Sequence, residues 1–405
     1  MTIAADGPPR DEFRVGLLLT DTRYRGLTIQ VIAFVLLALA LGWLVNNVID
    51  NLRALGKEFE FGFLWRRAGY DISQTLVPYT NNSSHGRAAL VGVLNTLLVA
   101  GLGVVLATVV GVIAGVLRLS KNWLVGRLMT VYVEVFRNVP LLLWILLIYA
   151  ILSESTPAPA AFRGDDPESS KLFGLVAFTN RGTYVPRAVW GEGAMALSII
   201  AIGSIAAALG WRAWARRRRE ETGRPPPIGW VTLAILVVPF TLAFLALGRP
   251  VTFEVPTIAR FNFEGGINVL NSMVALWLAL SLYTAAFIAE IVRAGILAVS
   301  TGQTEAAYVL GLRPGRTTRL VILPQALRVI VPPLISQYLN LTKNSSLAVA
   351  VGYPDLRATL GGVTMNQTAR ELECMLLLGA FYLIVSLTIS GVLNFYNRRI
   401  MLKER

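Results

Sequence analysis

Apolar runs long enough to cross about 30 Å of hydrocarbon recur from one end of this chain to the other. That repetition excludes a soluble globular fold, because a stretch that is apolar all round must be surrounded by protein or lipid. Eight spans can be drawn, at 28–48, 88–117, 128–152, 194–211, 228–248, 267–289, 320–342 and 374–394. Hydrophobic residues make up 55% of the 405 and charged ones only 15%, so the class is a polytopic, all-α membrane protein with about eight transmembrane helices. The first run follows Arg23 and Arg25 as a signal peptide would. It is long, however, and Ala38-Leu39-Ala40 lies inside it rather than after it, so it reads as a retained helix.

A net charge of +13 could suit nucleic acid, but its placement suits a bilayer. Arg216 to Arg219 and the other basic clusters abut apolar runs, as the cytoplasmic ends of membrane helices do. With the N-terminus inside, the outward segments 49–87, 153–193, 249–266 and 347–373 hold 13 Lys and Arg against 14 Asp and Glu. The other 24 basic residues then face 10 acidic ones, which is the positive-inside bias this orientation requires. It places the C-terminal Arg398, Arg399, Lys403 and Arg405 in the cytoplasm.

Chemistry-bearing residues are sparse. One cysteine, Cys374, excludes an internal disulfide and any thiolate metal cluster, and no metal site is expected. The one histidine, His85, lies in a polar Asn-Asn-Ser-Ser-His-Gly stretch and reads as a solvated loop residue. A membrane-embedded enzyme would need a nucleophile with a base, or a metal constellation, inside the spans. The composition offers neither. Pro157 to Pro186 and Arg216 to Pro227 read as loops, since neither shows an apolar face to bury. Ala107, Gly111 and Gly115 recur every four residues in the second span, a spacing that lets another helix approach closely.

Residues 304–324 say most about function: Thr-Glu-Ala-Ala-Tyr-Val-Leu-Gly-Leu-Arg-Pro-Gly-Arg-Thr-Thr-Arg-Leu-Val-Ile-Leu-Pro. A short helix carrying Glu305, Ala306 and Ala307 offers a nearly flat face, Gly311 frees the backbone to turn, and Leu323-Pro324 suits the start of the next helix. This resembles the cytoplasmic loop by which permease subunits of bacterial binding-protein-dependent ABC importers dock into their ATPase. Further phrases resemble the polar amino-acid branch of those permeases. They are Gly92-Val93-Leu94-Asn95-Thr96-Leu97-Leu98, Val133 to Leu142, Tyr283 to Gly295, Gly302-Gln303, Pro324 to Arg328 and Lys343-Asn344-Ser345-Ser346-Leu347.

The resemblance covers about 88–153 and 265–400 and implies a five-helix type I importer core plus three extra helices. The resulting order is a cytoplasmic tail (1–27), an extra helix (28–48), a periplasmic loop (49–87) and two core helices (88–153). An insert of periplasmic loop and two extra helices (154–264) precedes three core helices (265–400) with the coupling loop at 293–319, and a short cytoplasmic tail (401–405) ends the chain. A build this long is similar to permeases of the general or glutamate/glutamine/aspartate/asparagine L-amino-acid uptake systems. The resemblance implies a second homologous permease, two copies of a cytoplasmic ATPase, a periplasmic amino-acid-binding protein and a bacterial inner-membrane location. No Gly-rich loop ending Gly-Lys-Ser/Thr occurs, so no cofactor is expected in this chain, and ATP is left to the partner ATPase.

Polar residues within spans are where a substrate contact is sought, since each is costly unless paired or wet. Lys343, followed by Asn344, Ser345 and Ser346, offers a positive charge and several donors for an amino acid's α-carboxylate, or else an ammonium snorkelling to the interface. Asn95 and Thr96 either line the pathway or bond a neighbouring helix. Glu134 and Arg137, three apart in the third span beside Asn138, read as an internal ion pair in preference to a direct substrate contact. Glu290 and Arg293 read as a salt bridge or gate contact. A secondary amino-acid transporter or channel is the alternative. It would show discontinuous helices in symmetry-related positions or a ring of pore charges, and neither is evident.

Overall fold

The computed structural model describes residues 22–54, 56, 59–164, 168–223 and 226–400, and it separates into two units, 1–64 and 65–405. The described part of the first unit is essentially one helix, α1 (Thr22–Ala54), long and apolar enough to cross a membrane. Near its end Asn46 donates to Asp50 at 2.9 Å. The expected N-terminal tail lies largely, and the C-terminal tail wholly, outside the described residues.

The second unit is built on α2 (His85–Leu117), α3 (Trp123–Asn138), α4 (Leu141–Glu154), α7 (Asn271–Leu297), α9 (Leu323–Asn344) and α10 (Glu371–Ile400). A hairpin of α5 (Ala194–Thr222) and α6 (Ile228–Ala246) is inserted between α4 and α7, and the short α8 (Thr301–Val309) lies between α7 and α9. Helix α7 is central and packs on α2, α3, α4 and α9. One apolar core joins Val99 and Ala107 of α2, Ile145 of α4, Leu280 and Ile288 of α7, Ile330 and Leu341 of α9, and Tyr353.

The four-residue spacing in α2 does close-pack, against α7. A Cβ on Gly111 would lie 2.6 Å from Ile288 Cβ and 2.9 Å from the Ala285 carbonyl oxygen, and one on Gly115 2.6 Å from the Ala289 oxygen. Only glycine admits that approach.

Four sequence-based expectations are corrected. The span drawn at 128–152 is two helices, α3 and α4, bent by 106° at Val139–Pro140. Pro140 drives Val139 out of the helical region, to φ −103° and ψ 133°, and the chain turns there. Seven helices among the described residues are therefore long and apolar enough to cross, and eight only if the bent pair counts as one.

The stretch Pro157 to Pro186 is more than loop. Strands β1 (Ala177–Thr179) and β2 (Gly182–Val185) pair antiparallel, and β2 pairs in turn with β7 (Ile267–Val269). Tyr184, Ala177 and Phe263 form a small apolar core there, with the Tyr184 hydroxyl donating to Asn262 Oδ1 at 2.7 Å. Beside this sheet, β3 (Arg187–Trp190) pairs with β4 (Val251–Glu254), and β5 (Thr257–Ile258) with β6 (Phe263–Glu264). Asn271 at the start of α7 donates to Thr179 O at 2.9 Å and Leu152 O at 3.3 Å, tying the sheet and α4 to the central helix.

Arg216 to Arg219 are also not loop: α5 continues through them to Thr222, where Gly223 at φ +68° caps it. His85 is buried rather than solvated, its Nδ1 3.0 Å from Thr364 Oγ1.

Candidate functional site

The Glu-Ala-Ala phrase forms α8, whose Ala307 is buried while Glu305, Ala306, Tyr308, Val309 and Leu310 are exposed. The helix stops by a Schellman arrangement. Gly311 sits at φ +74°, its N–H bonds Tyr308 O at 2.9 Å, and the Leu312 N–H reaches back to Ala307 O at 3.1 Å. No other atom crowds the place a Gly311 Cβ would take, so glycine is demanded by backbone conformation alone.

Past the turn, Pro314–Thr317 restarts helix and a π-turn, Thr318–Ile322, feeds into α9 with Leu323 and Pro324 in its first turn. Gln325 donates to Gln303 at 3.3 Å, holding α8 beside the start of α9. The result is a short helix with an apolar tip, Val309 being 88% and Leu310 80% exposed, carried between two long helices.

At the same end of the bundle, four charges from three helices meet around Glu290. Arg118, just past α2, pairs with Glu290 Oε2; Arg293 bonds Oε1 at 2.6 Å; Arg137 of α3 stands 4.0 Å away. Arg137 also lies over the Phe287 ring, 5.2 Å from its centre. The expected Glu134–Arg137 pair is not what forms: Arg137 turns to α7, and Glu134 instead accepts from Asn138 at 3.3 Å. The Glu290–Arg293 bridge is present.

Lys343, Asn344, Ser345 and Ser346 sit where α9 passes into a 3₁₀ stretch, Ser345–Val351. Ser345 is buried and donates to Thr342 O at 2.7 Å; Ser346 donates to Lys343 O at 2.8 Å. Both serine protons are thus committed to local carbonyls, while Lys343 is exposed and Asn344 half-buried.

Asn95 and Thr96 are fully buried in α2 and hold the segment after that stretch. The Asn95 amide donates to Pro354 O at 2.8 Å and Gln74 O at 3.0 Å. Thr96 donates to Gly92 O at 2.8 Å and accepts from Leu356 N at 3.1 Å, and the Tyr353 hydroxyl bonds Asn95 O at 3.2 Å. Of the two readings, bonding a neighbouring segment is the one the contacts display. Lys343 is exposed and Asn95 is buried, and no hydrogen bond joins them among the described residues.

Sequence reasoning missed Asp355, which follows Pro354 and is completely buried. Its Oδ1 accepts from Ala358 N at 2.8 Å, whereas its Oδ2 is buried with no hydrogen-bond partner among the described residues. Desolvation pushes this carboxyl up to about 7 despite the Ala358 N–H and the Arg357 charge. The one cue was an Asp three residues before a helical N–H, a common capping signal.

Residues 107–402 match the model of the family described as binding-protein-dependent transport system inner membrane component. The chain belongs to that family. It is a permease, a transport subunit rather than an enzyme. It is 55% identical over 430 aligned positions, covering all of both chains, to the glutamate/glutamine/aspartate/asparagine transport system permease protein BztB of Rhodobacter capsulatus. It is 44% identical to the general L-amino acid transport system permease protein AapQ of Rhizobium johnstonii, over 95% of this chain and 94% of that one. It is 42% identical to the putative amino-acid ABC transporter permease protein YhdX of Escherichia coli, over 98% and 99%. In this permease the motif-bearing α8 and the Glu290 cluster lie at one end of the core, and the Asn95 and Lys343 groups lie toward the other.

Proposed function

We propose that this permease imports polar L-amino acids as one of two different but homologous permease subunits, receiving them from a soluble binding protein. Hydrolysis is carried out by two copies of a cytoplasmic ATPase, which alone bind ATP. The observation that carries the coupling role is the geometry of α8, a short exposed helix with small residues on its face, fixed at its end by Gly311 and held between α7 and α9. Motion of a body seated on such a helix passes directly into the two long helices flanking it.

In this reading Glu305, Ala306, Ala307, Gly311, Leu323 and Pro324 form the docking element, and both termini face the cytoplasm. Lys343 and Asn344 are the path-facing members of their phrase, with Ser345 and Ser346 shaping the turn that presents them. Asn95 and Thr96 act from behind, by setting the position of 353–356. The substrate class follows from what the named relatives carry and from the suitability of an ammonium for an α-carboxylate.

The test is uptake of labelled glutamate, glutamine, aspartate and asparagine into vesicles holding both permeases and the ATPase, with binding protein and ATP supplied. ATP-dependent accumulation that requires every component supports the reading. Accumulation driven by an ion gradient without ATPase would overturn it.

A further inference from the structure

The inserted hairpin carries a feature that transport coupling does not use. Helix α5 has 29 residues and α6 has 19. At one end they are level, because β3 and β4 pair in register up to Trp190 and Val251, and Gly191 N donates to Pro250 O at 2.8 Å just before α5 begins and just after α6 ends. At the other end α5 therefore outlasts α6 by ten residues, about 15 Å. The first residue of α6, Ile228, falls level with Arg212 of α5, and tryptophans cluster there: Trp211 and Trp214 on α5 with ring centres 4.9 Å apart, and Trp230, 80% exposed, on α6. Such a belt marks the boundary of the hydrocarbon.

Beyond the belt the projecting turn reads Arg216-Arg217-Arg218-Arg219. These residues lie about 3 to 8 Å past Trp214 along the axis, within the headgroup layer that adds about 5 to 7 Å on each side of a bilayer. All four are exposed. None of the four has an ion-pair partner among the described residues, and Arg218 rests over the Trp214 ring at 5.0 Å. Successive helical residues point about 100° apart, so the four guanidinium groups spread over most of the circumference. A protein docked on one side would meet two of them. A leaflet of phosphates surrounds the helix and meets all four.

We propose that the Arg216–Arg219 turn is a binding collar for anionic phospholipid headgroups, anchoring the inserted hairpin by its free end. Guanidinium groups suit phosphate through paired N–H donors. The inference holds whichever side of the membrane that end faces, so it stands apart from the transport reading.

The test uses the full-length protein in its native complex, reconstituted in phosphatidylcholine alone or in equal parts phosphatidylcholine and phosphatidylglycerol. Selectivity for spin-labelled phosphatidylglycerol over spin-labelled phosphatidylcholine is measured. Four arginines replaced together by glutamine (R216Q/R217Q/R218Q/R219Q) keep helix propensity and remove the charge. Each basic residue near an anionic surface is favoured about fivefold, so the glutamine variant should lose selectivity by roughly tenfold or more, while the four-lysine variant keeps most of it. Added salt should weaken the wild-type preference. Unchanged selectivity in the glutamine variant would overturn the proposal, as would cross-links from this turn to acidic residues of a partner protein with no lipid effect.

Discussion

Asn95 of α2 donates its side-chain amide to the Pro354 carbonyl at 2.8 Å, bridging 259 residues of chain. The same amide satisfies Gln74 O, so one buried side chain serves two partly buried backbone acceptors. Asn95→Ala should lower the stability of the purified complex by about 1–3 kcal/mol, read as an earlier thermal transition, with transport lost in proportion. A variant that melts like the wild type yet transports poorly would instead place Asn95 on the substrate path.

Gly311 offers a separate handle, because its requirement is conformational and not steric. Gly311→Val must adopt φ +74° with a branched Cβ, at a cost of at least about 1–2 kcal/mol, and the cap of α8 should open. Gly311→Asn tolerates that conformation. The expected result is binding-protein-stimulated ATP hydrolysis near normal for the asparagine variant and severely reduced for valine, with both present in the membrane. Equal hydrolysis by the two would show that the turn is not needed for coupling.

These two sites also show what a sequence discloses. The bonds that cap α8 at Gly311 lie within six residues, so the turn that ends the Glu305 helix could be read locally. Asn95 could not be settled between its two readings, because its partners are 21 and 259 residues away. His85 was misread for the same cause: its neighbours are polar, but Thr364, which faces it, is 279 residues off. The bend at Pro140 was legible in the Val139–Pro140 pair and was hidden by continuous hydropathy across 128–152. The sheet of the insert escaped because its strands have three or four residues, and β2 finds β7 only across two intervening helices.

Glu290 is the one carboxylate among Arg118, Arg137 and Arg293. The Arg118 side chain is only 9% exposed and that of Glu290 27%, so water cannot replace a lost partner fully. Glu290→Gln should destabilise the complex by about 3 kcal/mol, because it strands positive charge at the meeting of three helices. Arg118→Met should cost less, since Glu290 keeps Arg293. The order of their thermal transitions checks this, and a glutamine variant as stable as the methionine one would show that the cluster is solvated.

Asp355 predicts a pH dependence. Its carboxyl is raised from the ordinary 3.8 to about 7 by burial, among Arg357, Tyr353 and Tyr382. A raised carboxyl favours the folded state while protonated, so its contribution is complete below about pH 4 and is lost as pH climbs through 7. Asp355→Asn stays neutral and keeps a capping oxygen for the Ala358 N–H. Wild-type thermal stability should therefore fall between about pH 4 and pH 7 more steeply than that of the asparagine variant, and level off above about 7. Parallel profiles would mean that Asp355 titrates as a solvated residue.

Lys343 tests the substrate reading itself. It stands exposed in the last turn of α9, where a cation complements the helix C-terminus, and it has no side-chain partner among the described residues. An amino acid entering a low-dielectric path needs its α-carboxylate compensated, and a charge-assisted hydrogen bond supplies about 1.5–3 kcal/mol, roughly ten- to hundredfold. Lys343→Met keeps the length of the stem and removes the charge. Uptake by the fully assembled complex should fall by about that factor for acidic and neutral substrates alike, because both carry the same α-carboxylate. A defect confined to glutamate and aspartate would assign Lys343 to side-chain recognition. Normal uptake of every substrate would leave it as an ammonium reaching for the membrane surface, its stem packed on apolar neighbours.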